Sequence, residues 1–274
     1  MINGEEEYRG LLSGILHGGI DGDSRAGKTR SVFGRQLRHD MASGFPLLTT
    51  KKVYFKHAVT ELLWILQGRT DLAYLHEHGL KYWDADYKRS GRTDGSLGPV
   101  YGHQLRNFNG KDQLAEVLKL IEREPTSRRI MASLWNPVDM DDMVLPPCHY
   151  GFQVSVKNNT LDLMWNQRSC DMFLGVPYDL AMYGLLLLMF AKRFDLKPGQ
   201  LIGNFGDCHI YHNHFDAVRT QLERKMKPLP TVQLLEGLIY NWNDGNIFVP
   251  GHNEIKLLNY DPHGPIKAPL SVGS

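Results

Sequence analysis

The sequence predicts an α+β fold, and three observations carry that prediction. Two alternating runs, Tyr150–Val156 and Thr160–Trp165, are joined by Lys157-Asn158-Asn159 and read as a β-hairpin. Helical stretches at Phe55–Gln67, Asp112–Glu124 and Leu180–Lys192 alternate irregularly with strand-like runs. The last of these is apolar nearly all round, which places it at the centre of the molecule rather than on its surface. With 274 residues, 42% of them hydrophobic, the chain can bury a substantial core, and no internal repeat or low-complexity linker divides it, so residues 1–274 read as one domain.

In chain order, the amino terminus MINGEEEYRGLLSGILHGG is acidic and then amphipathic, a helix without the basic region and apolar core of a signal peptide. Asp21–Arg30 reads as a polar, glycine-containing loop, and Ser31–Leu37 as a strand. A second helix follows at Phe55–Gln67, then another before Tyr82-Trp83-Asp84. Pro125–Arg129 leads into a strand at Ile130–Trp135, and Leu201–Tyr211 reads as another. A helix from residue 213 to about Arg224 and short strands around Thr231–Leu235 and Glu254–Leu258 complete the chain.

A formal net charge of +1 supplies no global attraction to nucleic acid or a membrane surface, and neither is expected as a partner. The longest apolar run, Leu185–Ala191, falls well short of the ~20 residues of a membrane span. Three cysteines, Cys148, Cys170 and Cys208, do not make a disulfide framework and suit a reducing cytosol. The expected location is cytoplasmic.

Residue chemistry leaves two readings open at most candidate positions. Cys148 is either a nucleophile, with Arg168 lowering its pKa, or a buried structural cysteine. Arg25, Lys28 and Arg30 either meet a phosphate or decorate a solvated loop. Glu61, on an apolar helix, lies at the edge of the stripe, or is buried and must find partners or a proton. Arg128 and Arg129 read as solvated, and Trp83 and Tyr101 as core aromatics. His209 and Tyr211, two apart on one strand face, either pack in the core or bind a ligand; no further ligands accompany them, so no metal is expected.

The motifs PPCH (146–149), QRSCDMFLGVPYD (167–179) and GDCHIYHNH (206–214) resemble, in order and spacing, the active-site signatures of the thymidylate synthase and pyrimidine nucleotide hydroxymethylase family. The resemblance runs from Arg25 to about Ala268. It implies a mixed sheet packed with helices, a homodimer formed through the sheet's other face, and 5,10-methylenetetrahydrofolate as cosubstrate. It also implies roles. Cys148 attacks C6 of a pyrimidine nucleoside monophosphate. Arg25, Arg168 and Ser169 hold its phosphate, together with Arg128 and Arg129 reaching across from the partner. Glu61, in ELLWILQG, and Tyr101, in LGPVYG, handle protons, and Gln167 belongs to the substrate site. His209 and Tyr211 bind the sugar hydroxyl, while Trp83, Asp171 and Leu174 line the folate side. The carboxy-terminal YDPHGPIKAPLSVGS resembles the segment that closes over folate.

Two departures from the family matter. DADYKRSGRTDGS (84–96) lacks the second tryptophan that many members carry, which points to altered folate packing. Thymidylate synthases also have asparagine, in a stretch like GLPFN, where this chain has Asp179 in GVPYD. Asp and Asn both cap helices well, so capping does not account for the exchange. An ionised carboxylate only accepts hydrogen bonds; it repels uracil O4 and accepts from the amine of cytosine. The reading is deoxycytidylate as substrate and hydroxymethyl as product, the branch of the family that hydroxymethylates deoxycytidylate. Cytidylate, methyl transfer, deoxyuridylate, and a non-catalytic nucleic-acid-binding or regulatory role are the alternatives.

Overall fold

The computed structural model describes residues 1–235 and 252–270. A six-stranded sheet, in the order β1-β2-β6-β5-β4-β3, organises them. Its strands are β1 (Ile20–Ser24), β2 (Gly27–Asp40), β3 (Met131–Ser133), β4 (His149–Lys157), β5 (Thr160–Asp171) and β6 (Lys197–Tyr211). The β5–β6 pair is parallel and the other pairs are antiparallel, so the sheet is mixed, as expected. Two further strands, β7 (Thr231–Leu234) and β8 (Ile255–Leu258), pair with each other where short strands were expected.

The β4–β5 hairpin forms as predicted. Asn158 and Asn159 adopt φ of 49° and 57°, the left-handed pair that a tight two-residue turn needs and that asparagine tolerates. β5 runs six residues beyond the predicted end at Trp165, through Gln167, Ser169 and Asp171. The expected loop at Asp21–Arg30 is instead a second hairpin, β1–β2, with Arg25 and Ala26 at its turn. Every residue of β1 is exposed, so no apolar alternation marked it as a strand. The strand expected at Ile130–Trp135 shortens to β3.

The helices are α1 (Gly4–Gly18), α2 (Phe55–Leu66), α3 (Leu72–Glu77), α4 (Asp84–Ser90), α5 (Tyr101–Arg106), α6 (Gln113–Arg123), α7 (Val176–Arg193) and α8 (Phe215–Glu223). Asn3, Asp71 and Asp112 cap α1, α3 and α6 through their side chains. α7 is buried over most of its surface, as its composition predicts, and packs on β5, β6 and α2. It starts earlier than the expected Leu180: Gly175 is the N-cap, with proline in the first turn. Asp179 is therefore not a capping residue, and its side chain is free for other work. α4 and α5 flank Gly98, whose φ is +78° and where a Cβ would lie 2.0 Å from Asp142 O. Only glycine fits that approach, which leads directly into Tyr101. Among the described residues, no helix is long and apolar enough to cross a membrane.

Candidate active site

β4 and β5 bring the ends of the 146–179 segment together. Arg168 N donates to Cys148 O at 2.9 Å, and its guanidinium donates to Pro147 O at 2.9 Å and Pro146 O at 3.1 Å. The double proline presents those carbonyls, and Arg168 clamps them while lying 5.5 Å over the Trp135 ring. Behind Cys148, its backbone N–H donates to Tyr101 Oη at 2.9 Å. Tyr101 in turn stacks on His149, ring centroids 4.3 Å apart, and His149 Nδ1 shares a hydrogen bond of 2.8 Å with Tyr183 Oη. Burial lowers the His149 pKa to about 3, so this imidazole is neutral and the aromatic stack carries no charge beneath the nucleophile.

Arg168 pulls the Cys148 thiol down, as expected, but burial outweighs it and Asp179 and Asp86 add to the rise. The net shift is upward: Arg168 lowers the thiol's pKa as expected of it, and burial, the other reading of this cysteine, sets the sign. Arg25, exposed at the tip of the β1–β2 turn, also lowers it slightly through its charge. Arg30 does not: it is paired in bidentate fashion with Asp21 at 2.6 and 2.9 Å.

Gln167 and Asp179 form the floor. Gln167, 3% exposed, accepts from Trp165 Nε1 at 3.0 Å and donates from Nε2 to Asp179 Oδ2 at 2.8 Å. Burial raises the Asp179 carboxyl to about 7, against the Gln167 hydrogen bond and with help from Glu61 and Asp171. Burial likewise raises Glu61, which is only partly exposed on α2. Tyr82 and Trp83 approach the Glu61 carboxyl and lower its pKa, yet Tyr82 Oη and Trp83 Nε1 are buried without a hydrogen-bond partner among the described residues. Trp83 meets Tyr101 edge-on at 6.2 Å.

On the sheet's parallel pair, Asp171 lies opposite His209 and Ser169 opposite Asp207. His209 Nδ1 bonds Asp207 Oδ1 at 2.8 Å and its ring meets Tyr211 edge-on at 5.2 Å, so the two do share a face. Asp171 Oδ1 accepts from the backbone N–H groups of Phe173 and Leu174 at 2.9 and 3.0 Å, fixing the turn that exposes part of Leu174. Arg128 and Arg129 stand apart, exposed ahead of β3, with Arg129 paired to Glu124 at 3.1 Å.

Sequence reasoning missed four contributors. His149 follows Cys148 directly but reads as one more strand residue, and Tyr183 is hidden in the apolar α7. Lys51 is buried, donates to Phe173 O and lies 3.7 Å over the Phe173 ring, with burial lowering its pKa to about 7 despite Asp171. Asp86 lies in the 84–96 stretch where the chain departs from the family's pattern.

No group of three His, Cys, Asp or Glu among the described residues is arranged to hold a metal ion. Of the expected closing segment, residues 271–274 lie outside the described part. The family model for thymidylate synthase matches residues 6–272, and with that coverage and this site the chain belongs to the thymidylate synthase family.

Proposed function

We propose that this protein transfers a one-carbon unit from methylenetetrahydrofolate to C5 of deoxycytidylate, giving 5-hydroxymethyl-dCMP. Family membership supports one-carbon transfer to a pyrimidine C5. The choice of cytosine rests on Asp179, a carboxyl with pKa of about 7 held on one oxygen by Gln167.

The argument is a match of edges. Cytosine shows an amine donor at C4 and an acceptor at N3. A protonated Asp179 accepts from the amine and donates to N3; an ionised one pairs with the amine and a protonated N3. As Cys148 adds to C6, negative charge builds on the ring, and a proton moving from Asp179 toward N3 neutralises it. Uracil, with N3–H and O4, is compatible only with the protonated carboxyl.

The remaining roles are those that the family motifs imply. Arg168 holds the 146–148 backbone and counters the burial of the Cys148 thiol. With Ser169 and Arg25 it supplies the cationic and hydroxyl groups for the phosphate, while His209 and Tyr211 take the sugar hydroxyl. Glu61 and Tyr101 carry protons to and from the base. Folate supplies the one-carbon unit; Trp83, Asp171 and Leu174 line its side of the pocket.

The whole chain acts as one catalytic domain and pairs with a second copy through the open face of the sheet. Phe33 on β2, Met131 on β3 and Tyr150 on β4 are 81%, 54% and 39% exposed, which supports an apolar partner there. Arg128 and Arg129 then complete the partner's phosphate site.

The test is mass analysis of products after incubation with methylenetetrahydrofolate and, separately, dCMP, CMP and dUMP. Hydroxymethyl-dCMP is the expected product. A methyl group on dCMP would retain the Asp179 argument and sink water capture, and turnover of dUMP alone would sink the base assignment.

A further inference from the structure

Among the described residues, the Arg168 guanidinium is held by neutral groups alone: two backbone carbonyls and one aromatic ring. Its Nε donates to Pro147 O at 2.9 Å and its Nη2 to Pro146 O at 3.1 Å, two N–H groups that lie side by side on one edge of the fork. The other edge, Nη1 with the second N–H of Nη2, makes no hydrogen bond among the described residues, and the residue is exposed. An unneutralised charge with a free donor edge suits a phosphate monoester, whose oxygens accept two parallel N–H bonds.

Two hydrogen bonds along one edge leave a hinge. The guanidinium can still tip about the line joining Nε and Nη2, which swings Nη1 through an arc. The Trp135 ring, 5.5 Å from Arg168 Cζ, closes that hinge from one side, because a planar cation is attracted to an aromatic face. Trp135 can act as a wall because both of its neighbours are anchored. Buried Leu134 donates its N–H to Tyr150 O at 2.9 Å, and buried Asn136 donates from Nδ2 to Asp139 Oδ2 at 2.9 Å and Gln104 Oε1 at 3.1 Å. The ring itself is 37% exposed, so its place over Arg168 is not imposed by core packing.

We propose that Trp135 is a positioning residue for the nucleotide's phosphate: its ring fixes the plane of the Arg168 guanidinium and aims the Nη1–Nη2 edge at a phosphate monoester. The inference rests on the reading that Arg168 takes the phosphate, and it adds to that site a side chain that touches no phosphate oxygen itself.

The test is calorimetric binding of dCMP and deoxycytidine, and of dUMP and deoxyuridine, to the full-length protein. The ratio of nucleotide to nucleoside affinity separates the phosphate from the base. In Trp135→Leu the ratio is expected to fall about tenfold, and in Trp135→Phe, which keeps a ring, only about twofold. Arg168→Ala lowers the ratio by itself, and adding Trp135→Leu to it should change the ratio no further, because no guanidinium is left to orient. A native ratio in Trp135→Leu, beside a lowered one in Arg168→Ala, overturns the proposal and leaves Arg168 on the phosphate. An equal fall with and without Arg168 overturns it too, since the ring would then act through the fold or the subunit interface. A native ratio in Arg168→Ala overturns both the phosphate role of Arg168 and the proposal. If only the uridine pair binds, the base assignment fails, and the same pattern on that pair supports the proposal.

Discussion

Gln167 Nε2 donates to Asp179 Oδ2 at 2.8 Å, so the amide of a buried glutamine decides which oxygen of the Asp179 carboxyl keeps its lone pairs. Because Gln167 is itself fixed by Trp165 and Ser169, the carboxyl has little rotational freedom. Asp179→Asn keeps the shape and replaces an oxygen by a donor. We expect kcat/KM for dCMP to fall and that for dUMP to rise, shifting their ratio by at least about 100-fold. Steady-state kinetics with both nucleotides checks this.

The same carboxyl makes base choice depend on pH. Below its pKa of about 7, Asp179 carries a proton and can donate to uracil O4; above it, the carboxylate repels O4. Any dUMP turnover should therefore drop roughly tenfold between pH 6 and 8, following the protonated fraction, while dCMP turnover drops less. Competition assays across that range measure it.

Stability should carry the opposite mark of this site. The folded carboxyl titrates near 7 and an unfolded one near 4, so the folded state binds the extra proton between those values and stability falls as pH rises through them. Asp179→Asn removes that loss. We expect a gain of about 2 kcal/mol at pH 8, allowing for partial exposure, and little change at pH 4. Thermal unfolding at the two pH values tests it.

Arg168 opposes the burial that holds the Cys148 thiol protonated. Arg168→Ala should raise the thiol pKa further and slow iodoacetamide alkylation at pH 8 by about tenfold. The pH profile of alkylation separates this from a loss of folding.

A shared phosphate site predicts complementation. Cys148→Ala and the double variant Arg128→Ala, Arg129→Ala should each be inactive. Mixed and allowed to exchange subunits, they should recover about a quarter of native activity, since half the dimers are hybrid and each hybrid has one intact site. No recovery, with exchange verified, would sink the crossing arginines.

The parts of this fold that were legible in sequence are those where burial writes a period. The β4–β5 hairpin, α2, α6 and α7 all alternate or cluster apolar residues against the core. β1 has no buried face to write one, and α4 buries none of its residues, so neither announced itself. At the site, Cys148, Arg168, Gln167, His209 and Tyr211 sit in long motifs, which is why the sequence singles them out. His149, Tyr183 and Lys51 act through tertiary neighbours far along the chain, which no local pattern records. The sign of the Cys148 shift was illegible for the same reason: spacing reveals a nearby cation but not how much surrounding structure excludes water.

The turn at Asn158-Asn159 lies about 25 Å from Gln167, at roughly 3.4 Å per residue along β5. It nevertheless determines which of Gln167 and Arg168 faces Asp179. Side chains alternate along the strand, so a pairing slip of one residue would exchange the amide for the guanidinium and put a fixed cation against the carboxyl. A two-residue turn at the distant end of the hairpin thus sets which side chain meets a buried carboxyl: an insertion there would change the partner of Asp179 with no substitution near it.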